Sequence, residues 1–201
     1  MIRVGLTGGL ACGKSIVGRT LTELGCHIIQ ADELGHEALQ INGEAYAPVI
    51  NEFGASILDP AGAIDRRKLA AIVFADPEEL TKLSAIVHPA VGRLQQKITA
   101  EILAHDPDAI VVFEAAILVE TGSYRNFDKL IVVACRPEQQ LERAMQRDGF
   151  SREEVVARLG RQLPIEKKIP LAHYVIDTSG TPEHTVEQTR EIYRSLRSLT
   201  R

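Results

Sequence analysis

Eight residues near the start constrain this chain more than any others: Gly8-Gly9-Leu10-Ala11-Cys12-Gly13-Lys14-Ser15. Their spacing, Gly, four residues, Gly-Lys-Ser, is that of a phosphate-binding loop. Ahead of it lies the short apolar run Arg3-Val4-Gly5-Leu6, and behind it a helix-like stretch from Ile16-Val17 to Leu24. The loop therefore joins a strand to a helix, the context the motif needs. Glycines let the backbone close around a phosphate with no side chain in the way. Successive N–H groups then point inward as an anion nest, and the next helix adds its free donors and partial positive charge. Lys14 is spaced to reach the β- and γ-phosphates, and Ser15 to ligate magnesium. The motif specifies binding of a nucleotide's phosphates and leaves open what is done with them.

The length, 201 residues, suits one compact α/β domain with room for inserted subdomains. Hydrophobic residues make up 45% of the chain, but aromatic ones only 4%, with no Trp, so the core must be aliphatic. No apolar run is long enough to span a membrane. The first residues enter a strand at once, which leaves no room for a signal peptide, so a cytoplasmic protein is expected. Cys12, Cys26 and Cys135 are odd in number and lack metal spacing, and read as free thiols in a reducing compartment. A net charge of −4 gives no global field favouring nucleic acid. Any anionic substrate has to be held by local basic clusters.

Along the chain, Gly25 ends the first helix and Cys26 to Ala31 reads as a second, buried strand. Asp32 follows at its carboxyl end, the edge where open α/β sheets bind ligands. There it is either a base for an attacking hydroxyl or the N-cap of a helix over Glu33–Leu39. A helix around Tyr46–Phe53 turns at Gly54. Asp65 caps another through Leu69 and Val73, and Asp76-Pro77-Glu78 starts a third, with Leu80, Leu83 and Val87 on one face. His88-Pro89 is expected to break that helix and start the next, to about Ala104. This helical insertion of about 70 residues is longer than a βα crossover needs and suits a second-substrate lobe. His88 reads equally as a structural or a ligand-binding histidine.

Ala109 to Phe113 is a continuous apolar run, a central parallel strand ended by Glu114. That carboxylate suits either magnesium support or orientation of the phosphate loop. Lys129–Ala134 is another strand, and Pro137 opens a helix carrying Arg143 and Arg147 on one face. Ser151-Arg152-Glu153-Glu154 is a capping box, and Arg158 and Arg161 are expected together on its helix until Pro164 ends it. Residues 143–168 hold seven Lys/Arg against four Asp/Glu. Such a run is commonly a solvated face; beside a phosphate loop it reads as a basic lid. Tyr174-Val175-Ile176 is a last strand, followed by a turn and a helix from Pro182. The pattern predicts a parallel sheet with helices on both faces.

In order and spacing, the stretches resemble the dephospho-CoA kinase family over nearly the whole chain. The resemblance runs from Gly5-Leu6-Thr7-Gly8-Gly9 and Gly13-Lys14-Ser15 through Ala31-Asp32, Phe53-Gly54, Ile64 to Leu69, Ile72-Val73-Phe74, Asp76-Pro77 and His88-Pro89. It continues through Glu120-Thr121-Gly122, Gln140, Arg143, Arg147-Asp148, Arg158, Gln162 and Ala172 to Asp177.

It implies a three-layer P-loop NTPase fold and transfer of the ATP γ-phosphate to the ribose 3′-hydroxyl of dephospho-CoA, with Mg2+. By the same resemblance the core is about 1–35, 106–148 and 172–201, the CoA-binding helical region about 36–105 and the lid about 149–171. Asp32 becomes the base, acting with Lys14 and Arg147. ATP falls to Gly8, Gly9, Ala11, Cys12, Gly13, Lys14, Ser15, Ile16, Arg143, Arg158 and Arg161, with Arg143 near the adenine and the other arginines facing phosphates. Thr7, Asp32, His88 and Glu114 are implied at the acceptor, and Ser15 at the metal. Small-molecule substrates, no nucleic acid or membrane, and a monomer or small homo-oligomer complete the expectation.

The chain departs from the family in four places. Ala11-Cys12 stands where Gly-Ser is usual, and Ala11 is expected to need an ordinary backbone conformation. Gln30 replaces the first Asp of an Asp-Ala-Asp, Glu114 to Leu118 replaces an Asp-x-Pro-Leu-Leu stretch, and Thr178 replaces an Asn. The rivals are another small-molecule or nucleoside-monophosphate kinase, a GTP switch (though no Asn-Lys-x-Asp element is present) and a non-catalytic nucleotide-binding module.

Overall fold

The three central strands are near-continuous buried runs, which gives the sheet two buried faces. A computed structural model describes residues 1–200, apart from the side chain of Asp148. Among the described residues the strands are β1 (Ile2–Gly8), β2 (His27–Gln30), β3 (Ile110–Glu114), β4 (Lys129–Ala134) and β5 (Tyr174–Asp177), in the order β2-β3-β1-β4-β5. β1 pairs in parallel with β3 and β4, and β4 with β5. Val4 and Leu6 of β1, Ile110 and Val112 of β3, and Ile131 and Val133 of β4 share one face. They are buried with Val17 and Leu21 of helix α1 (Lys14–Glu23) and Ile192 and Leu196 of the last helix, α9 (Pro182–Ser198). On the other face, Phe113 stacks on Phe127 at 5.7 Å, and Leu118 and Leu130 crowd Gly5.

The chain divides into two compact units: Met1–Ile29 with Ile102–Arg201, and Gln30–Glu101. The second is helical, with α2 (Ala31–Leu39), α3 (Tyr46–Phe53), α4 (Arg66–Ala75) and α5 (Pro77–His105), the last continuing into the first unit. It has its own core of Ala38, Val49, Ile57, Leu69, Val73 and Ala90 among others. The Asp65 carboxylate accepts from the Arg67 and Lys68 amides as the cap of α4. In the first unit, α6 (Pro137–Asp148), α7 (Arg152–Leu159) and the short α8 (Ile165–Lys168) follow β4. Ser151 and Glu154 form the expected capping box of α7, and the Thr181 hydroxyl caps α9. None of the helices among the described residues is long and apolar enough to cross a membrane.

Two expectations about helix extent fail. Pro89 does not break a helix: α5 runs through it for 29 residues. An internal proline loses one hydrogen bond and crowds the preceding turn, at about 3 kcal/mol. Leu83, Ile86 and Val87 before it, and Ala90 and Leu94 after it, pack on one core, and that seam carries the helix across. Arg161 does not share a helix with Arg158, because α7 stops at Leu159 and Gly160 opens a turn.

Both ends of the first unit meet the turn before β3. The Met1 ammonium donates to the Pro107 carbonyl at 2.7 Å, and the Arg197 guanidinium donates to the Asp108 carbonyl at 3.0 Å.

Candidate active site

The parallel pairing of β1 on both sides carries the chain into the loop at a fixed height, against the end of β4. Gly8 sits so close to β4 that a Cβ there would lie 2.4 Å from the Val133 carbonyl oxygen. Gly13 takes φ 81° and opens α1 as its N-cap. Ala11 also has a positive φ, 55°. The expectation of an ordinary backbone at Ala11 is thus corrected: the loop holds its left-handed turn and Ala11 bears the cost, on the order of 1–2 kcal/mol. No side chain caps α1 and its first turn contains no acidic residue, so the helix turns its positive end on the loop without a carboxylate of its own. The Lys14 ammonium folds back over the loop and donates to the Gly8 and Gly9 carbonyls at 3.3 and 3.0 Å. Ser15 is exposed in the first turn of α1, and Ile16 beside it is half-buried.

Beneath the loop the sequence departures form a cluster. Cys12 is buried, and the Cys135 thiol donates to its sulfur at 3.3 Å. That hydrogen bond brings the Cys12 thiol down to about 7, against burial and with help from the Lys14 charge. Its partner moves the other way, because Cys135 gives its proton to the Cys12 sulfur and is itself desolvated. Cys26, buried elsewhere without such a donor, is pushed up to about 12 by desolvation. Thr178 ties this region together. Its hydroxyl lies 2.9 Å from the Cys12 carbonyl oxygen and 3.1 Å from that of Ala134. Arg143 donates to the Thr178 hydroxyl and carbonyl at 3.3 and 2.9 Å, which places its guanidinium beside the loop.

Between α7 and α8, the Gln162 side-chain oxygen accepts from the Leu10 amide at 3.0 Å. Arg147, in the last turn of α6, is exposed, as are Arg158, whose guanidinium stacks 3.8 Å from the Phe150 ring centre, and Arg161 in the turn after α7. The short helix α8 rests on a residue that sequence reasoning missed. Lys168 is fully buried, 2.6 Å from the Glu120 carboxylate, and donates to the Ala116 carbonyl at 2.9 Å. The same Glu120 oxygen accepts from the Leu163 amide. Local pattern gave no signal, since exposed Lys167 and buried Lys168 are neighbours in one charged run. Thr7, also fully buried, donates to the Ala116 carbonyl at 3.1 Å.

Glu114 ends β3 opposite Leu6. Its carboxylate faces α1, where a Cβ on Gly18 would come within 3.1 Å of Oε2. Magnesium on a nucleotide takes one or two protein ligands beside phosphate oxygens and water. The Ser15 hydroxyl and a carboxylate against α1 suit that donor set. Asp32 and His88 belong to the second unit. Asp32 is the second residue of α2, whose N-cap is Gln30, so its exposed carboxylate does not cap the helix. His88 is exposed on α5.

The family model described as Dephospho-CoA kinase matches residues 2–183. The dephospho-CoA kinase of Aquifex aeolicus is 44% identical over 196 residues, 98% of each chain. Among solved structures, TT1252 from Thermus thermophilus superimposes with a TM-score of 0.81 at 33% identity, over 96% of each chain. The dephospho-CoA kinase from Campylobacter jejuni does so with a TM-score of 0.71 at 29% identity, covering 98% of this chain and 97% of that one. The parallel sheet, the phosphate loop between β1 and α1, and these full-length likenesses give one result: a three-layer P-loop kinase fold, in a chain that belongs to the dephospho-CoA kinase family.

Proposed function

We propose that residues 8–16 hold the phosphates of Mg-ATP and that Asp32 is the base at the acceptor hydroxyl. The chain is an ATP-using kinase that phosphorylates dephospho-CoA at its ribose 3′-hydroxyl, yielding coenzyme A and ADP in the last step of coenzyme A synthesis. The observation that carries the ATP assignment is the uncapped start of α1 under a glycine-bearing loop that Lys14 spans. Such a helix end stabilises an anion through its N–H donors and dipole.

In this reading the γ-phosphate lies along the nest, and Lys14 leaves its two carbonyls to meet the β- and γ-oxygens. Arg143, fixed by Thr178, flanks the adenine. Arg147, Arg158 and Arg161 supply positive charge as the transferred phosphoryl spreads its own, a task that suits the planar guanidinium. Ser15 would hold magnesium, which would supply charge neutralisation at the phosphates, and Glu114 steadies that side of α1. Asp32, exposed immediately after β2, accepts the proton of the attacking hydroxyl. Thr7 works indirectly, by fixing the Ala116 carbonyl and so the segment after Glu114. His88 and the rest of the second unit receive the acceptor. The three free thiols suit the cytoplasm, and the protein works as a monomer or small homo-oligomer.

The test is ADP release from Mg-ATP with and without dephospho-CoA, for the wild type and for Asp32→Asn. Release should require dephospho-CoA. The variant should lose about 100-fold or more in kcat, as removal of a general base does, with KM for ATP nearly unchanged. A variant with wild-type kcat would remove Asp32 from the role.

A further inference from the structure

We propose that Cys12 and Cys135 form a redox site, at which a small hydroperoxide closes a disulfide and so disables the phosphate loop. Two cysteines from distant parts of the chain meet at 3.3 Å, both buried, one within the loop and one directly after β4. Their sulfurs are already in contact, and closing the bond brings them to about 2.05 Å. Cys12 is the nucleophile of the pair, since Cys135 donates to it and Lys14 adds positive charge. Cys26, desolvated and without a thiol partner, stays out of the reaction.

The chemistry balances with one peroxide. The Cys12 thiolate attacks one peroxide oxygen, the O–O bond breaks, and the departing hydroxide takes a proton to become water. The Cys12 sulfenic sulfur is then attacked by Cys135, which gives up its proton, and a second water leaves. Two thiols lose two electrons and the peroxide gains them. Burial selects the oxidant: a molecule near the size of water reaches these sulfurs by local opening, whereas a bulky disulfide does not.

Closure acts on binding because Cys12 is held on all sides. Its amide donates to the Gly9 carbonyl, its own carbonyl is bonded by Thr178, and its sulfur lies under Gly9. Drawing that sulfur toward Cys135 by about 1 Å, the difference between contact and bond, shifts the backbone donors that would face phosphate. The inference rests on the assignment of ATP to this loop.

The experiment treats reduced full-length enzyme with hydrogen peroxide, then reads intact mass, peptide linkage, Mg-ATP affinity and kinase rate, before and after dithiothreitol. Expected are a loss of about 2 Da, a Cys12–Cys135 linked peptide, and at least about tenfold weaker ATP binding, all reversed by the reductant. Cys135→Ser should keep its basal rate and show neither the linkage nor the reversible loss. A treated enzyme without the linkage, or one with it and unchanged ATP affinity, overturns the proposal. Mg-ATP titration of the untreated protein tests the loop assignment separately, and the mass reads the pair whatever that titration gives.

Discussion

Gly8 is the most tightly confined residue of the loop. A methyl group there meets a backbone carbonyl of β4 at 2.4 Å, and a paired strand cannot step aside as a side chain would. Gly8→Ala should therefore destabilise the fold by about 2–3 kcal/mol, the upper range for overpacking, as read from denaturant unfolding. A change under about 0.5 kcal/mol would mean that β1 and β4 can part at this point. The cysteine pair makes a prediction in pH. Cys12 is depressed from 9.0 to about 7, so it contributes stability above its unfolded value and loses that contribution as pH falls toward 7. Cys135 and Cys26 are raised, so they withhold ionisation above about 9 and oppose the gain there. The stability difference between wild type and Cys12→Ser should grow from about pH 7 to about pH 9 and not beyond. A flat difference across that window would mean that Cys12 titrates alike in both states.

The segment after α7 is anchored as an element through α8. Lys168 and Glu120 are paired away from water, and one Glu120 oxygen is buried with no hydrogen-bond partner. Removing the cation leaves a carboxylate without its charge partner, so Lys168→Met should cost about 3 kcal/mol or more. Adding Glu120→Gln should recover part of that loss, and additive single effects would show that the two do not act as a pair. Most element boundaries were legible in the sequence because their signals are local. Asp65, Pro137, Ser151 and Thr181 each mark a helix start by a group that acts within one turn. Pro89 misled because its local cost is overridden by a seam of side chains contributed on both sides of it. The loop and Arg143 could be named from spacing and resemblance. The Cys12–Cys135 contact, the Thr178–Cys12 tie and the Lys168–Ala116 bond join residues 52 to 166 positions apart, and no local period encodes them.

For the whole molecule, the sheet order puts β1 at the centre, so the first strand made waits for β3 and β4, over a hundred residues later, to find its neighbours. Long-range pairing of this kind folds slowly. The second unit, with its own apolar cluster, is built within one continuous stretch of chain. The two ends of the first unit, meanwhile, bond to the consecutive carbonyls of Pro107 and Asp108. Met1 and the last turn of α9 therefore lie beside the same turn. A short flexible linker should join Met1 to the end of α9 without strain, and new ends can be cut at the turn of Asp59–Gly62, whose Pro60 and Ala61 are exposed, far in sequence from the loop. Such a circular permutant should fold and keep its kinase rate within about threefold, as insertion-tolerant loop tips allow. An insoluble permutant would mean that threading from Met1 is part of how the centre of the sheet is assembled.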